Sequence, residues 1–176
     1  IEKVKPRVAA QIRDYAFDCA VEMAVNPKVN REQLERELAS YKTSCQHSNG
    51  RRANGSRRRD GQQNANVFQK MVNDGEPGDV SEQQLKTAAE MFVAESSACA
   101  NNCLALAEQA RHKQIYVWAS KQNAATNHLR DADSLEDCAR QFNQIPDYKD
   151  AKRRAQDCLN DAEEIRVTAY REAVKR

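Results

Sequence analysis

The sequence contains few of the residues that interrupt helices. Of its 176 residues only five are glycine and four are proline, and every glycine lies between residues 50 and 78. Because glycine destabilises a helix interior relative to alanine, its absence elsewhere favours long helices before and after that window. Aromatic residues make up only 6% of the chain, which favours contacts between small and aliphatic side chains. We therefore expect an all-α protein with two helical blocks joined by an irregular middle.

The sequence also lacks features that would assign it to a membrane or to nucleic acid. It has no apolar run of about 18 residues, the length that indicates a membrane-spanning helix. Its net charge of +2 is too small by itself to indicate a phosphate-binding partner, which requires a concentrated positive field. The first residue is Ile1 rather than methionine. We interpret the chain as a processed piece from which any targeting segment has been removed, and expect it in the cytoplasm.

The first of three predicted segments, residues 1–45, is an N-terminal hairpin of two helices. Pro6 suits the first turn of a helix, and Asn26-Pro27 ends the apolar stripe that follows it. Asn30 is the expected N-cap of the second helix, with the Gln33 side chain reaching back to it. Because the link between the helices is short, we expect them to be antiparallel.

The second segment, residues 46–80, is expected to be a loop rich in Arg, Gly and Asn that includes a short helix. Up to Asn66 it shows no apolar period, so it cannot bury enough surface to offset the entropy of ordering, and we expect it to be mobile. A short amphipathic helix then follows and ends at the Gly75-Glu76-Pro77-Gly78 turn. Its apolar residues are Val67, Phe68, Met71 and Val72.

The third segment, residues 81–176, contains an internal repeat. Four residues recur after 50 positions, and five more recur after 55. The first set is Leu85, Ala88, Ala89 and Phe92, which recur as Leu135, Cys138, Ala139 and Phe142. The second set is Cys103, Leu104, Ala107, Glu108 and Arg111, which recur as Cys158, Leu159, Ala162, Glu163 and Arg166. A helical repeat of this kind predicts an extended surface rather than a reaction centre.

Capping signals mark the helix starts of both copies. Ser81 with Gln84, and Asp133 with Glu136, each have the spacing of a capping box. After the first of these helices, a long helix is expected to run past Trp118. Its apolar stripe is predicted to begin with Leu104, Ala107 and Ala110.

The later copy also contains a recognisable turn. Phe142 is followed after a short gap by Ile145-Pro146-Asp147-Tyr148-Lys149-Asp150-Ala151. This pattern resembles bacterial TPR-like helical repeats, closely over residues 134–174 and more loosely over 81–119, where Glu95-Ser96-Ser97 stands in place of the turn. The resemblance does not extend to residues 1–80. It implies an array of helical hairpins used for protein contacts or as a spacer, with no catalytic residues.

The cysteines leave two interpretations open. The six cysteines, an even number, could all form disulfides in a secreted helical domain. Cys19 lies on an apolar stripe, however, and Cys138 stands where the earlier copy has Ala88, so we favour small buried residues in a reducing compartment.

No residues form a convincing catalytic or metal-binding set. Cys99 and Cys103 are four residues apart on one predicted helix, the spacing of two metal ligands, but no second close pair of Cys or His completes a site. A cysteine nucleophile would need a neighbouring histidine, and no glycine-rich phosphate loop follows a strand. We therefore expect no enzyme activity, no cofactor and no metal.

Two candidate binding sites emerge from the sequence. The first is a set of arginines within residues 46–65, a stretch of net charge +4, which could grip a polyanion. These are Arg51, Arg52, Arg57, Arg58 and Arg59. The second is Trp118, a candidate contact for a protein partner, because Tyr116 two residues earlier must point to a different face of the same helix.

These features favour a scaffold or adaptor that presents a helical-repeat surface for protein-protein interaction, with a protein partner or self-assembly. The alternative is a structural or assembly protein, similar to a coat subunit, that contacts nucleic acid or another polyanion through the arginine-rich loop.

Overall fold

The computed structural model describes residues 6–47, 57–93, 96–129 and 131–175. Every regular element within these ranges is an α-helix, which confirms the all-α prediction. In chain order these helices are α1 (Pro6–Val25), α2 (Arg31–His47), α3 (Arg57–Asp74), α4 (Glu82–Phe92), α5 (Ser97–Leu129), α6 (Ala132–Asn143) and α7 (Ala151–Val174). The chain divides into two compact units, Ile1–Ala110 and Arg111–Arg176, so that α5 contributes to both.

In the first unit α1 contacts α2, α3 and α4. Five of the six residues from Cys19 to Ala24 are buried, which is the pattern of a helix covered on several sides. The Phe92 ring of α4 packs against Phe17 of α1 and Phe68 of α3, with ring centroids 5.2 and 5.6 Å apart. These aromatic contacts join three helices in one core.

The predicted antiparallel hairpin of α1 and α2 is supported by a stacked pair of rings. Tyr15 and Tyr41, at matching distances in sequence before and after the link, have ring centroids 4.2 Å apart. Asn30 caps α2 as expected, since its Oδ1 accepts from the Glu32 backbone N–H at 2.9 Å. The Gln33 side chain does not complete a capping box; it donates instead to a carboxylate one turn later in α2.

The predicted loop is shorter than expected. α3 already begins at Arg57, whereas the sequence favoured a loop as far as Asn66. Arg and Gln are good helix formers, so they can extend a helix that Phe68 and Met71 anchor in the core. The end of α3 is as predicted, because Gly75 follows it with φ +64°, a left-handed conformation that favours glycine.

One of the two capping boxes predicted for the repeat copies is confirmed. The Ser81 Oγ accepts from the Gln84 backbone N–H at 3.2 Å, and the Gln84 side-chain oxygen accepts from the Ser81 backbone N–H at 3.3 Å. This reciprocal pair satisfies two donors that the first turn of α4 would otherwise leave unbonded.

The capping box predicted for Asp133 and Glu136 is not formed, so this prediction is wrong. The N-cap of α6 is Asp131, whose carboxylate accepts from the Asp133 backbone N–H at 3.2 Å. The Asp133 and Glu136 carboxylates instead accept from Arg166 of α7, at 3.0 and 2.5 Å. Ion pairing with the neighbouring helix therefore occupies the groups that were expected to cap α6.

In the second unit α6 and α7 pack along each other with complementary side chains. α6 contributes the larger buried residues, and α7 contributes small ones at spacings of four and three, which let two helices approach closely. From α6 these are Leu135, Cys138, Ala139 and Phe142, and from α7 they are Ala151, Ala155, Cys158 and Ala162.

The two copies of the sequence repeat share one pattern of burial. Every residue of the first set is buried in both copies, and in the second set the cysteine and alanine are buried in both. Leu104 and Leu159 are both exposed, with 50% and 39% of their surface accessible. The expectation that Leu104 begins the apolar stripe is therefore wrong, and Cys103 and Leu106 occupy that buried face instead.

Truncating the core ring should be far more costly than truncating an exposed leucine of the same unit. We expect Phe92→Ala to lower the free energy of unfolding by about 3–5 kcal/mol, because it leaves a cavity among three helices. Leu104→Ala should change it by no more than about 0.5 kcal/mol. Urea denaturation followed by circular dichroism measures both, and equal costs would contradict the described packing.

Candidate functional site

Most of the predicted polyanion site falls outside what the structure describes. Arg51 and Arg52 lie outside the described residues. Arg57, Arg58 and Arg59 form the start of α3, where only the helical backbone is described. Binding of a polyanion by these arginines stays a prediction.

Trp118, the second candidate, lies on α5 with 46% of its surface exposed, and the neighbouring Val117 is 43% exposed. An α-helix turns about 100° per residue, so Trp118 lies almost opposite Tyr116 on the helix. Tyr116 is half-buried and Ala119 is fully buried in the core of the second unit. The orientation of α5 in this unit therefore determines that Trp118 faces solvent.

The side of α5 opposite Trp118 also contacts Asp150, which precedes α7 and receives hydrogen bonds from two helices. The Tyr116 hydroxyl on α5 donates to the Asp150 Oδ1 at 2.5 Å. Arg153 donates to Oδ2 at 2.7 Å, and Arg154 Nε lies 3.1 Å from both oxygens. One carboxylate thus links a phenol on α5 to two guanidinium groups on α7, and hydrogen bonds to an ionised group are the stronger kind.

The hydrogen bonds also shift the pKa values of the Asp150 carboxyl and the Tyr116 hydroxyl. The Tyr116 hydroxyl, followed by Arg154 and Arg153, holds the pKa of the Asp150 carboxyl well below its usual range, against the opposing effect of desolvation. The pKa of Tyr116 is raised, chiefly because its hydroxyl donates to Asp150. Asp150 is therefore ionised and Tyr116 neutral over the whole neutral range.

Aromatic and cationic side chains surround this hydrogen-bonded cluster. The Tyr116 and Tyr148 rings meet edge to face with centroids 5.6 Å apart. Lys149 Nζ lies 5.5 and 5.4 Å from the two ring centroids, and the Arg154 guanidinium lies 5.2 Å from that of Tyr116. Lys149 itself has φ +51°, a left-handed conformation uncommon for a residue with a side chain.

Two contacts define the register between α5 and α7. Tyr116 bonds to Asp150, and Ser120, one turn further along α5, accepts from Arg154 at 3.4 Å. Both pairs are separated by 34 residues, so the two helices run in the same direction. We call the cluster formed by Tyr116, Asp150 and Arg154 the Asp150 clasp; its contacts, together with the burial of Ala119, define the direction and rotation of α5 in this unit.

The stretch of sequence around Trp118 carries charge of one sign, and it is preceded by Glu108 and followed by Asp131. No Asp or Glu occurs between residues 109 and 130, whereas Arg111, Lys113, Lys121 and Arg130 do. Arg111 and Lys121 are exposed and lie on the same side of α5 as Trp118. We call this side, formed by Arg111, Val117, Trp118 and Lys121, the Trp118 face. Sequence reasoning identified the tryptophan but missed the acid-free stretch around it.

The cysteines occupy positions suited to packing. The structure contains all six as thiols rather than disulfides, and five of them are buried. Burial raises the pKa of Cys103 to about 12 and that of Cys158 to about 11. A protonated, buried thiol is a poor nucleophile and a poor metal ligand. The described residues also include no cluster of three or more His, Cys, Asp or Glu side chains placed to hold a metal ion.

Comparison with known proteins finds no match to a protein family, to a curated protein or to a solved structure. Among the helices of the described ranges, none combines the length and apolar character needed to cross a membrane.

Removing the phenol hydroxyl from the Asp150 clasp should destabilise the protein in a pH-dependent way. Folding depresses the pKa of the Asp150 carboxyl, so the stabilisation is fully present above the unfolded value of about 4 and is lost as pH falls from there through the folded-state pKa. We expect Tyr116→Phe to lower the urea midpoint at about pH 7. The difference from the unmodified protein should be smaller at about pH 2, because the carboxylate becomes protonated only as pH falls toward its depressed folded-state pKa.

The matched control is Tyr170→Phe, which removes a hydroxyl from a tyrosine of α7 that is 72% exposed. This variant should leave the urea midpoint unchanged at either pH. A midpoint for Tyr116→Phe equal to that of the unmodified protein at neutral pH would contradict the role assigned to the hydrogen bond.

Thiol titration without reductant separates the two interpretations of the cysteines. In the unfolded protein all six should react with Ellman's reagent. In the native protein we expect Cys99, which is half-buried, to react first and the five buried thiols to react only as the protein opens. Fewer reactive thiols after unfolding would instead indicate disulfides.

Proposed function

We propose that the protein is a non-enzymatic scaffold or adaptor of the cytoplasm, which presents a helical surface to a protein partner. The observation that carries the proposal is the exposure of Trp118 beside Val117. Tryptophan is enriched among the residues that dominate binding energy at protein interfaces. Here it lies on a helix whose opposite side is held by the buried Ala119 and by the Asp150 clasp, so the side chain is presented in a defined direction.

The repeat supports the same proposal. Equivalent residues of the two copies have equivalent burial, from Leu85 and Leu135 at the first position to Ala107 and Ala162 in the second set. The turn before α7 carries the Ile-Pro-x-Tyr-Lys-Asp-Ala pattern by which the sequence resembles TPR-like repeats. Helical arrays of that kind act through extended surfaces rather than through reactive side chains.

The second candidate function is contact with nucleic acid or another polyanion through the arginines of residues 51–59. Its support is the local net charge of +4 in residues 46–65. This function would not involve Trp118, and its affinity should fall steeply with added salt. Replacing all five arginines with serine therefore separates it from the adaptor function.

Site-specific photo-crosslinking in cells tests the adaptor proposal. A photoreactive amino acid replaces Val117, next to the tryptophan, or in a matched control Leu159 on α7, which is 39% exposed. We expect discrete protein adducts from position 117 that disappear when Trp118→Ala is added, and none that depend on Trp118 from position 159.

Nuclease treatment and the ratio of absorbance at 260 and 280 nm identify the alternative in the same preparations. Nucleic acid that co-purifies with the unmodified protein, and is lost from the variant with five serines, would favour the polyanion function. Adducts at position 117 that persist in Trp118→Ala would contradict the adaptor proposal.

A further inference from the structure

We infer that the Trp118 face of α5 binds an acidic amphipathic helix of a partner protein. This inference rests on the proposed adaptor function and adds the chemistry of its partner. It combines the exposed apolar pair Val117 and Trp118, the hydrogen bond that joins the opposite side of α5 to Asp150, and two exposed cations, Arg111 and Lys121, on the side of Trp118.

The charge around the tryptophan selects the sign of the partner. Arg111 and Lys121 are exposed on the same side of α5 as Trp118. On α5 the acidic residue nearest to Trp118 is Glu108, which lies one turn before Arg111 and ten residues from the tryptophan. The whole chain has nearly balanced charge, +2, so the positive stretch is a local feature. Complementary charge steers encounter and disfavours partners of the same sign.

Helix geometry defines where the partner's carboxylates should lie. With a rise of about 1.5 Å per residue, Lys121 lies about 4.5 Å along the axis from Trp118, and Arg111 about 10.5 Å in the other direction. A helix docked along α5 would therefore place its apolar anchors over Val117 and Trp118. Its acidic residues would lie about 15 Å apart, or roughly ten residues, on either side of those anchors.

The same face is less suited to a nucleic acid strand. Single-strand binding uses successive aromatic rings on which bases stack. The described part of α5 contains one tyrosine, Tyr116, and one tryptophan, Trp118. The Tyr116 side chain belongs to the Asp150 clasp. One exposed indole beside an aliphatic valine fits an apolar helix stripe better than a row of bases.

The charge around Trp118 can be tested before any partner is identified, because Trp118 is the only tryptophan in the sequence and its fluorescence can be observed alone. Its fluorescence should be quenched more efficiently by iodide than by caesium, each relative to a free tryptophan derivative at low salt. The double variant Arg111→Glu, Lys121→Glu should reverse that order. Equal or greater quenching by caesium in the unmodified protein would overturn the inference.

The partner's chemistry is tested by selection from a phage-displayed library of helical peptides, about 18 residues long or five turns, on the full chain. We expect the selected peptides to carry an apolar stripe flanked by Asp and Glu, and to change the Trp118 emission when they bind. Trp118→Ala should weaken their binding, measured by calorimetry, at least about tenfold. Lys121→Glu should weaken peptide binding to a similar extent. Added salt should reduce the difference in affinity between this variant and the unmodified protein.

Two variants on α7 serve as matched controls, because they alter groups of the same kind away from the Trp118 face. Leu159→Ala truncates another exposed aliphatic residue, and Lys152→Glu reverses another exposed lysine. Both should bind the selected peptides as tightly as the unmodified protein does.

The outcomes distinguish this inference from the proposed function. Neutral or basic peptides whose binding depends on Trp118 would overturn the inference and leave the adaptor function standing. Peptides whose binding is insensitive to Trp118→Ala would overturn both. Stacking of single-stranded DNA on Trp118, detected as quenching by oligothymidylate that competes with the peptides, would also overturn the inference.

Discussion

One carboxylate joins two helices of the second unit, α5 and α7. Asp150 accepts hydrogen bonds from Tyr116 on α5 and from Arg153 and Arg154 on α7, so a single group joins the turn before α7 to a helix 34 residues earlier. The carboxylate forms no side-chain cap to α7, although it occupies the N-cap position. One of its hydrogen bonds reaches across to Tyr116 of α5, on the side of that helix opposite Trp118, and the others come from α7 itself.

Local signals in the sequence predicted much of the fold. The Pro6 start, the Ser81 capping box and the Gly75 stop each depend on residues within one turn of one another, and all are found. The errors involve tertiary contacts. Asp133 satisfies the local rule for a cap, yet its carboxylate pairs with Arg166, which no local pattern reveals. The helical start of α3 likewise depends on core residues further along the chain.

In the candidate site, too, the sequence predicted what a local pattern reveals and missed what depends on a tertiary contact. Trp118 was identified from helix periodicity because Tyr116 had to face elsewhere. The role of Asp150 was not identified, although the Tyr-Lys-Asp turn was noted, since pairing with Tyr116 requires the register between two helices. The two repeat copies match in the burial of their apolar positions, whereas the Asp150 turn belongs to the later copy.

Hydrogen–deuterium exchange on the unmodified protein and on Asp150→Ala tests most directly whether the clasp holds α5. We predict faster exchange of α5 amides around Tyr116 and Ser120, together with the first turn of α7, in the variant. Because Asp150 forms no side-chain cap, loss of helix capping cannot produce the effect on α5. Unchanged protection of α5 in Asp150→Ala would contradict the account, since the orientation of Trp118 would then depend on other contacts.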